Sequence, residues 1–466
     1  MSLHGLLVAW NTIRSFFPPD LSPSYLSYVW LPVVQTIGMA SAGMVIALCL
    51  GIPLAIFVGT RAPGWRVVVT LLSALRAIPD LTLAILAVVI VGLGPPAGMA
   101  ALAAFYTAMV GKVFAELFLA APPAPLGSLR ATGASRLSVA LFGLIPLTLP
   151  DLLTFGAYSF ECALRASVIV GAVGGGGIGT ELVGAINGLD YPRATTLIVV
   201  LALLVAAIDT AGWFMRKHPR IALVLFPIGI ATMILNPPQI FVVRHALVTF
   251  AAMFPPLLPA QSLARLPALI WQTLEIALGG TALAVAVAIP LALGSARNVV
   301  HAGLVAVLRR FLDVARAVPE IVWGLILVVT AGIGPLAGAL ALGIHSAGVL
   351  GKLFAEAFEN VDRAPVEALA ATGAGRLPMV AFGIIPLAMG PLAIHTMFRL
   401  EWNVRAATVV GMIGAGGIGE ALYNAQQHMQ YQQMMAYVAV TWLLVILADA
   451  VGERVRNRLG WKYVTE

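Results

Sequence analysis

Six pairs of ionisable residues interrupt the apolar stretches of this 466-residue chain, and each pair is spaced four residues apart: Arg76 and Asp80, Lys112 and Glu116, Glu161 and Arg165, Arg316 and Glu320, Lys352 and Glu356, Glu401 and Arg405. Four residues is one turn of a helix, so the members of each pair share a face and can neutralise each other. Charges at such depth are rare and expensive, and by default they mark function. Two readings stay open for them: they fix helix packing at a lowered burial cost, or they line a polar path. Asp209 and Asp449 have no cation four residues on, which leaves pairing between helices open to them. Bond chemistry is not indicated. The seven histidines are scattered without metal-ligand spacing, and no nucleophile stands with a base.

The elements that must hold these pairs come in two copies. Ala131–Pro146 reads ATGASRLSVALFGLIP and Ala371–Pro386 reads ATGAGRLPMVAFGIIP, identical at 10 of 16 positions. The offset of 240 residues also superimposes Gly111-Lys112 on Gly351-Lys352, Glu161 on Glu401, Arg165 on Arg405 and Asp209 on Asp449. A period this long is a duplicated domain rather than a solenoid repeat. The chain is 60% hydrophobic and 10% charged, against about 25% charged in ordinary soluble domains. That makes it an all-α polytopic membrane protein. No stretch between apolar runs is long enough for a soluble domain, so an ATPase or a nucleic-acid module would have to be another chain. The net charge of +7 reads as loop lysines and arginines that set orientation, not as a nucleic-acid surface. Cys49 and Cys162 sit in apolar runs and read as core thiols.

Five spans are expected in each copy, at 31–58, 66–93, 97–119, 139–163 and 195–215, then 268–294, 308–333, 335–358, 379–402 and 432–452. Gly94-Pro95 and Gly334-Pro335 mark the turn between the second and third. An odd number would invert the second copy, and one more apolar stretch, 220–243, restores parallel orientation if it crosses. The organisation is then a first repeat over 1–219, a linking span over 220–243 and a second repeat over 244–466, with about eleven spans. Arg61, Arg66, Arg130 and Arg136 fall on the same side as Arg297, Arg309, Arg310, Arg363 and Arg376. The positive-inside rule makes that side cytoplasmic, with the N-terminus outside and the C-terminus inside.

On that side, Pro125–Thr132 and Pro365–Thr372 read as short helices, with proline in the first turn and Gly133 or Gly373 at the left-handed exit. The second copy runs Glu367-Ala368-Leu369-Ala370-Ala371-Thr372-Gly373. This resembles the cytoplasmic coupling loop of type I ABC-importer permeases. The resemblance narrows over Arg316-Ala-Val-Pro-Glu-Ile-Val-Trp323, His345 to Glu356, Glu401-Trp-Asn-Val-Arg405 and Gly411 to Gly419. There the chain is similar to the permeases of phosphonate and phosphite importers, with two permease copies fused in tandem. It implies that Pro125, Ala131, Thr132, Gly133, Arg136, Glu367, Ala368, Ala371, Thr372, Gly373 and Arg376 couple to two copies of an ATPase subunit. It also implies that ATP and Mg are held there and not by this chain, and that an extracytoplasmic binding protein delivers a phosphorus oxyanion in the cytoplasmic (inner) membrane. With an anionic cargo, Lys112, Glu116, Glu161, Arg165, Lys352, Glu356, Glu401 and Arg405 are candidates for its path. The first copy departs from the pattern: Gly127 replaces Glu367 and Phe105 replaces His345.

Gly174, Gly176 and Gly179 satisfy G-x-G-x-x-G, as do Gly414, Gly416 and Gly419. Without a preceding strand this is no dinucleotide fingerprint. With Gly177 and Gly417 it reads as a broken, close-packed segment at membrane depth. Gate formation is the functional alternative, and so is an anion nest of backbone N–H groups. An ion-coupled transporter of parallel repeats, a membrane-embedded enzyme or scaffold, and permeases for methionine, glycine betaine or phosphate are the competing functions.

Overall fold

The computed structural model describes residues 10–11, 14–218, 224–236 and 247–458. Among them all regular structure is helical. The chain divides into two compact units, one of Ser15–Phe254 and the other of Pro255–Glu466 together with the residues before Ser15.

The first unit contains α1 (Pro23–Gly59), α2 (Trp65–Arg76), α3 (Asp80–Val91), α4 (Pro95–Leu119), α5 (Pro123–Ala131), α6 (Arg136–Val139), α7 (Ile145–Val170), α8 (Gly177–Asn187), α9 (Tyr191–Lys217) and α10 (Leu225–Leu235). The second repeats all but the last: α11 (Ala260–Ser295), α12 (Ala302–Ala317), α13 (Glu320–Ala331), α14 (Pro335–Glu359), α15 (Arg363–Ala371), α16 (Arg376–Met379), α17 (Ile385–Val410), α18 (Gly417–Gln427) and α19 (Tyr431–Arg458). Among the described residues eight helices are long and apolar enough to cross a membrane, or up to ten spans, five in each unit, where each bent pair counts as one.

Small residues set the core. Gly43, Ala47, Gly51, Ala55 and Gly59 follow one another every fourth residue along α1 and are all buried. Gly280, Ala284, Ala288 and Ala292 do the same along α11, with Ala296 just past its end, 237 residues later. Each stripe lets its helix lie against the third span, α4 or α14. A Cβ added at Gly51 would stand 3.2 Å from the backbone nitrogen of Gly111. Backbones approach this closely where lipid gives helices no hydrophobic reason to associate.

The expected second spans, 66–93 and 308–333, are broken. α2 and α3 meet at 89°, and α12 and α13 at 82°. Pro79 and Pro319 cause the break: proline offers no N–H to the ladder and pushes the preceding residue out of the helical region, and Val318 is extended at φ −77°, ψ 120°. The fourth spans run longer than expected, over Arg136–Gly175 and Arg376–Ala415. Each passes through a π-helical turn, Ala140–Leu144 or Val380–Ile384, just before Pro146 or Pro386. A widened turn accommodates the missing N–H and the ring.

Of the expected linking span, 220–243, residues 220–223 and 237–243 lie outside the described residues. The described part, α10, has 11 residues and packs on α1. Cys49 departs from the core reading. It is exposed, off the small-residue stripe of α1, and Cys162 is half-buried.

Candidate functional site

The loop helices begin two residues earlier than the sequence suggested, at Pro123 and Arg363, and Thr132 and Thr372 cap them. Each threonine hydroxyl donates back into the last turn, to the carbonyl of Leu129 or Leu369 at 2.8 Å. Gly133 at φ 79° and Gly373 at φ 82° then turn the chain, a conformation costing an L-residue about 1–2 kcal/mol. One apolar ridge attaches each helix to its unit. Leu126 and Leu129 sit over Gly143 in one π-turn, and Val366 and Leu369 over Gly383 in the other. A Cβ at Gly143 would lie 2.8 Å from Leu126. The remaining faces, including Pro125, Ala131, Arg136, Glu367, Ala368, Ala371 and Arg376, are exposed. Each short helix is thus an exposed lever held to the start of the fourth span through two side chains. The two levers differ in charge: residues 122–136 carry Arg130 and Arg136, whereas 362–376 balance Arg363 and Arg376 against Asp362 and Glu367.

The glycine segments are breaks in their helices. Gly174 (φ 100°) and Gly414 (φ 109°) interrupt the helix inside Gly171–Gly175 and Gly411–Ala415. Gly176 and Gly177, like Gly416 and Gly417, also take positive φ. A Cβ at Gly179 would run into the carbonyl of Val168, and one at Gly419 into that of Thr408. The turn between spans docks here too: Gly94 N–H donates to Gly174 O at 2.8 Å, and Gly334 N–H to Gly414 O at 3.0 Å. The anion nest is occupied by the protein itself. Gly177 N–H donates to Gln35 Oε1 (3.3 Å) and Ile178 N–H to Thr36 Oγ1 (3.0 Å). Gly417 and Ile418 make the same bonds to Gln272 (2.9 Å) and Thr273 (3.0 Å). Sequence reading missed these four side chains. Their signal is the Gln-Thr pair recurring at the 237-residue offset of the first spans. It also missed α8 and α18, each of 11 residues and about 16 Å long, too short to cross.

The six charge pairs do not behave alike. Two self-neutralise: Arg165 to Glu161 at 2.9 Å and Lys112 to Glu116 at 3.9 Å. Arg76 and Asp80 fall on separate helices across the break, as do Arg316 and Glu320, so the shared-face argument fails there. Arg316 pairs with Asp313 at 3.0 Å. Glu320 faces His345 Nε2 at 3.7 Å, while His345 Nδ1–H donates at 2.9 Å to the Val318 carbonyl left free by the break. Glu401 and Arg405 do not pair with each other either. Arg405 reaches Asp449 and Glu401 reaches Arg456, both on α19. The interhelical role open to Asp449 is therefore realised, and the side chain of Asp209 lies outside the described residues. Arg216 repeats Arg456 at the 240-residue offset, a signal the sequence reading passed over. Lys352 and Glu356 form no ion pair among the described residues. They line a cavity of about 120 Å³ with Arg309 and Asp313, which pair with Glu359 and Arg316.

Among the described residues up to ten apolar spans, five in each half, with one exposed loop helix and one broken glycine segment in each, define a multi-pass membrane subunit of duplicated design. The chain belongs to the family of binding-protein-dependent transport system inner membrane components, which matches residues 47–222 and 284–461. It is a multi-pass permease without enzymatic activity of its own, from a family that works with an ATPase and a substrate-binding protein. It is 31% identical to the phosphate-import permease protein PhnE of Mycolicibacterium smegmatis over 96% of this chain and 88% of that one. Over 38% of this chain it is 44% identical to the phosphite transport system permease protein PtxC of Stutzerimonas stutzeri, covering 65% of that protein. A 118-residue stretch, 25% of this chain, is 45% identical to the putative cryptic phosphonate transport system permease protein PhnE2 of Escherichia coli, covering 97% of it. Among solved structures, an inward-facing MetNI methionine ABC transporter chain covers 43% of this chain and 99% of its own length at 20% identity, with a TM-score of 0.40.

Proposed function

We propose that the chain is the membrane core of an ATP-driven importer for phosphonate, phosphite or a related phosphorus oxyanion. The observation that carries the cargo class is similarity to relatives named for phosphate, phosphite and phosphonate transport, in one case along both halves. Two ATPase subunits, holding ATP and Mg, engage α5 and α15 from the cytoplasmic side, and a phosphonate-type binding protein delivers the anion outside. The N-terminus lies outside and the C-terminus in the cytoplasm of the inner membrane, an orientation supported by the exposed Arg136 and Arg376 beside the two levers. Lys112, Arg165, Lys352 and Arg405, with Glu116, Glu161, Glu356 and Glu401 tempering their charge, belong to the polar path. The segments Gly174–Gly179 and Gly414–Gly419 serve as gates.

Uptake of labelled phosphite and methylphosphonate tests this, in cells stripped of other routes and expressing the chain with its ATPase and binding protein. Saturable uptake that stops when ATP is depleted and the ion gradient is kept is the expected result. Uptake that continues under those conditions would establish an ion-coupled transporter instead.

A further inference from the structure

One buried cation in the second half is incompletely bound. Arg399 on α17 is 9% exposed. Its Nε donates to Ser346 Oγ at 2.7 Å, Ser346 donates to Asn403 Oδ1 at 3.0 Å, and Asn403 Nδ2 donates to Thr281 Oγ1 at 2.8 Å. The chain of bonds ties α17 to α14 and α11 and fixes the plane of the guanidinium. Yet Nη2 is buried with no acceptor, and among the described residues Arg399 has no ion pair. The carboxylate that acts on it electrostatically, Glu320, stands 3.7 Å from His345 Nε2 and makes no ion pair with Arg399 among the described residues.

A guanidinium carries five donors, and a buried one that serves structure alone is ordinarily paired. The fold does not require this charge. At the 240-residue offset, the first half has Ser159, Tyr106 and Ala163 in place of Arg399, Ser346 and Asn403, all three buried. The same backbone therefore packs without a charge or an amide.

We infer that the open edge of Arg399 is a binding contact for the transported oxyanion, supplied by the second half alone. The planar fork matches two oxygens of a tetrahedral anion. Ser346 and Asn403 act as positioning residues that aim the fork. Nη2 is closed to solvent in this conformation, so the contact is made at another step of the transport cycle. The inference rests on the proposal that the cargo is a phosphorus oxyanion.

Reconstituted vesicles holding the full complex, with labelled methylphosphonate as probe, test it. Arg399→Gln is expected to lower uptake efficiency at least tenfold, mainly through KM, and Arg399→Lys to recover part of the loss. Ser159→Ala, at the matching position of the first half, should transport as wild type. Equilibrium dialysis of the same probe against the wild-type permease–ATPase complex without binding protein covers the case in which Arg399→Gln fails to insert. Saturable binding is expected in the ATP-free or the vanadate-trapped state, displaced by phosphite and not by neutral trimethyl phosphate. A wild-type KM in Arg399→Gln, or no saturable binding in either state, overturns the contact. A wild-type complex that transports no phosphorus oxyanion at all removes the cargo proposal, and the contact with it.

Discussion

Where the second half sets His345 against the carbonyl of Val318, the first half has Phe105. Where the second buries Arg399 with Ser346 and Asn403, the first buries Ser159, Tyr106 and Ala163. The second also clamps α12 to the end of α14 through Arg309 and Glu359 at 2.7 Å, at positions that are Val69 and Leu119 in the first. Features fixed by backbone geometry are instead duplicated: the small-residue stripes, the glycine breaks, the prolines after the π-turns, and Gly143 and Gly383 under the levers. A close approach or a positive φ admits glycine and little else, so both halves keep it. A polar network can be exchanged for apolar packing of similar volume at small net cost, which frees one half to specialise in charge.

The largest effect should come from the shared skeleton and should be equal in the two halves. Gly179→Val and Gly419→Val each drive a side chain into a backbone carbonyl that cannot yield. Both are expected to cost at least about 3 kcal/mol, the upper part of the overpacking range, and to leave no inserted, assembled permease by membrane fractionation. Normal insertion of either variant would show that the break is softer than its geometry.

Next in size is the lever. Gly373→Val forces a β-branched residue to φ 82° without touching the core. It should uncouple ATP hydrolysis from uptake while the protein stays inserted. Removing the carboxylate that stands where the first lever has Gly127, by Glu367→Gly, should lower coupling severalfold, and Gly127→Glu should alter it through the first. Identical responses of the two exchanges would erase the asymmetry between levers.

How much of this was legible in the sequence depends on distance along the chain. The duplication, the five spans per half and the loop helices follow from periodicity and local turn chemistry. The Ala131–Gly133 and Ala371–Gly373 exits are placed correctly because proline and glycine act locally. The charge pairs were harder. Four-residue spacing predicted the Glu161–Arg165 pair, whereas Arg405 and Glu401 reach Asp449 and Arg456 on a helix more than 40 residues further along the chain, which spacing alone does not announce. Arg316–Glu320 failed for a local reason that was visible: Pro319 stands between them and ends the helix. The anion nest failed because Gln272 and Thr273 come from the first span, and nothing nearby in sequence announces them.

A smaller effect is expected where the halves differ by one ring. His345→Phe gives the second half the residue of the first and leaves the Val318 carbonyl without its donor. The loss should be about 1 kcal/mol, the net worth of one hydrogen bond, measured as a shift in thermal unfolding of the detergent-solubilised protein. The reverse change, Phe105→His, should give no matching gain, since the ring would meet a pocket shaped for phenyl. A gain of equal size would mean that the α2–α3 break also holds a carbonyl waiting for a donor.

The smallest effect separates the halves by pH, at the chain entering each first span. In the first half Asp20 joins this entry to α9: its N–H donates to Pro192 O (3.2 Å), and its carboxylate meets Arg193 at 3.3 Å. Hydrogen bonds from Ser22, helped by Arg193, hold its carboxyl below the ordinary value. In the second half the corresponding clasp is uncharged, with Leu257 N–H donating to Gln432 O (3.3 Å) and Gln433 donating to Ser262 (3.0 Å). A carboxyl whose folded pKa is depressed contributes stability that is complete above its unfolded value and disappears as pH falls through the lowered folded value. The group is partly exposed, so the contribution is modest and weakens with salt. Hydrogen exchange, corrected for its intrinsic pH dependence, should show the Asp20 amide losing protection below about pH 4, while the Leu257 amide does not respond. Asp20→Asn should abolish the step. An equal acid response at both clasps would place its cause outside Asp20, in a group common to the two halves.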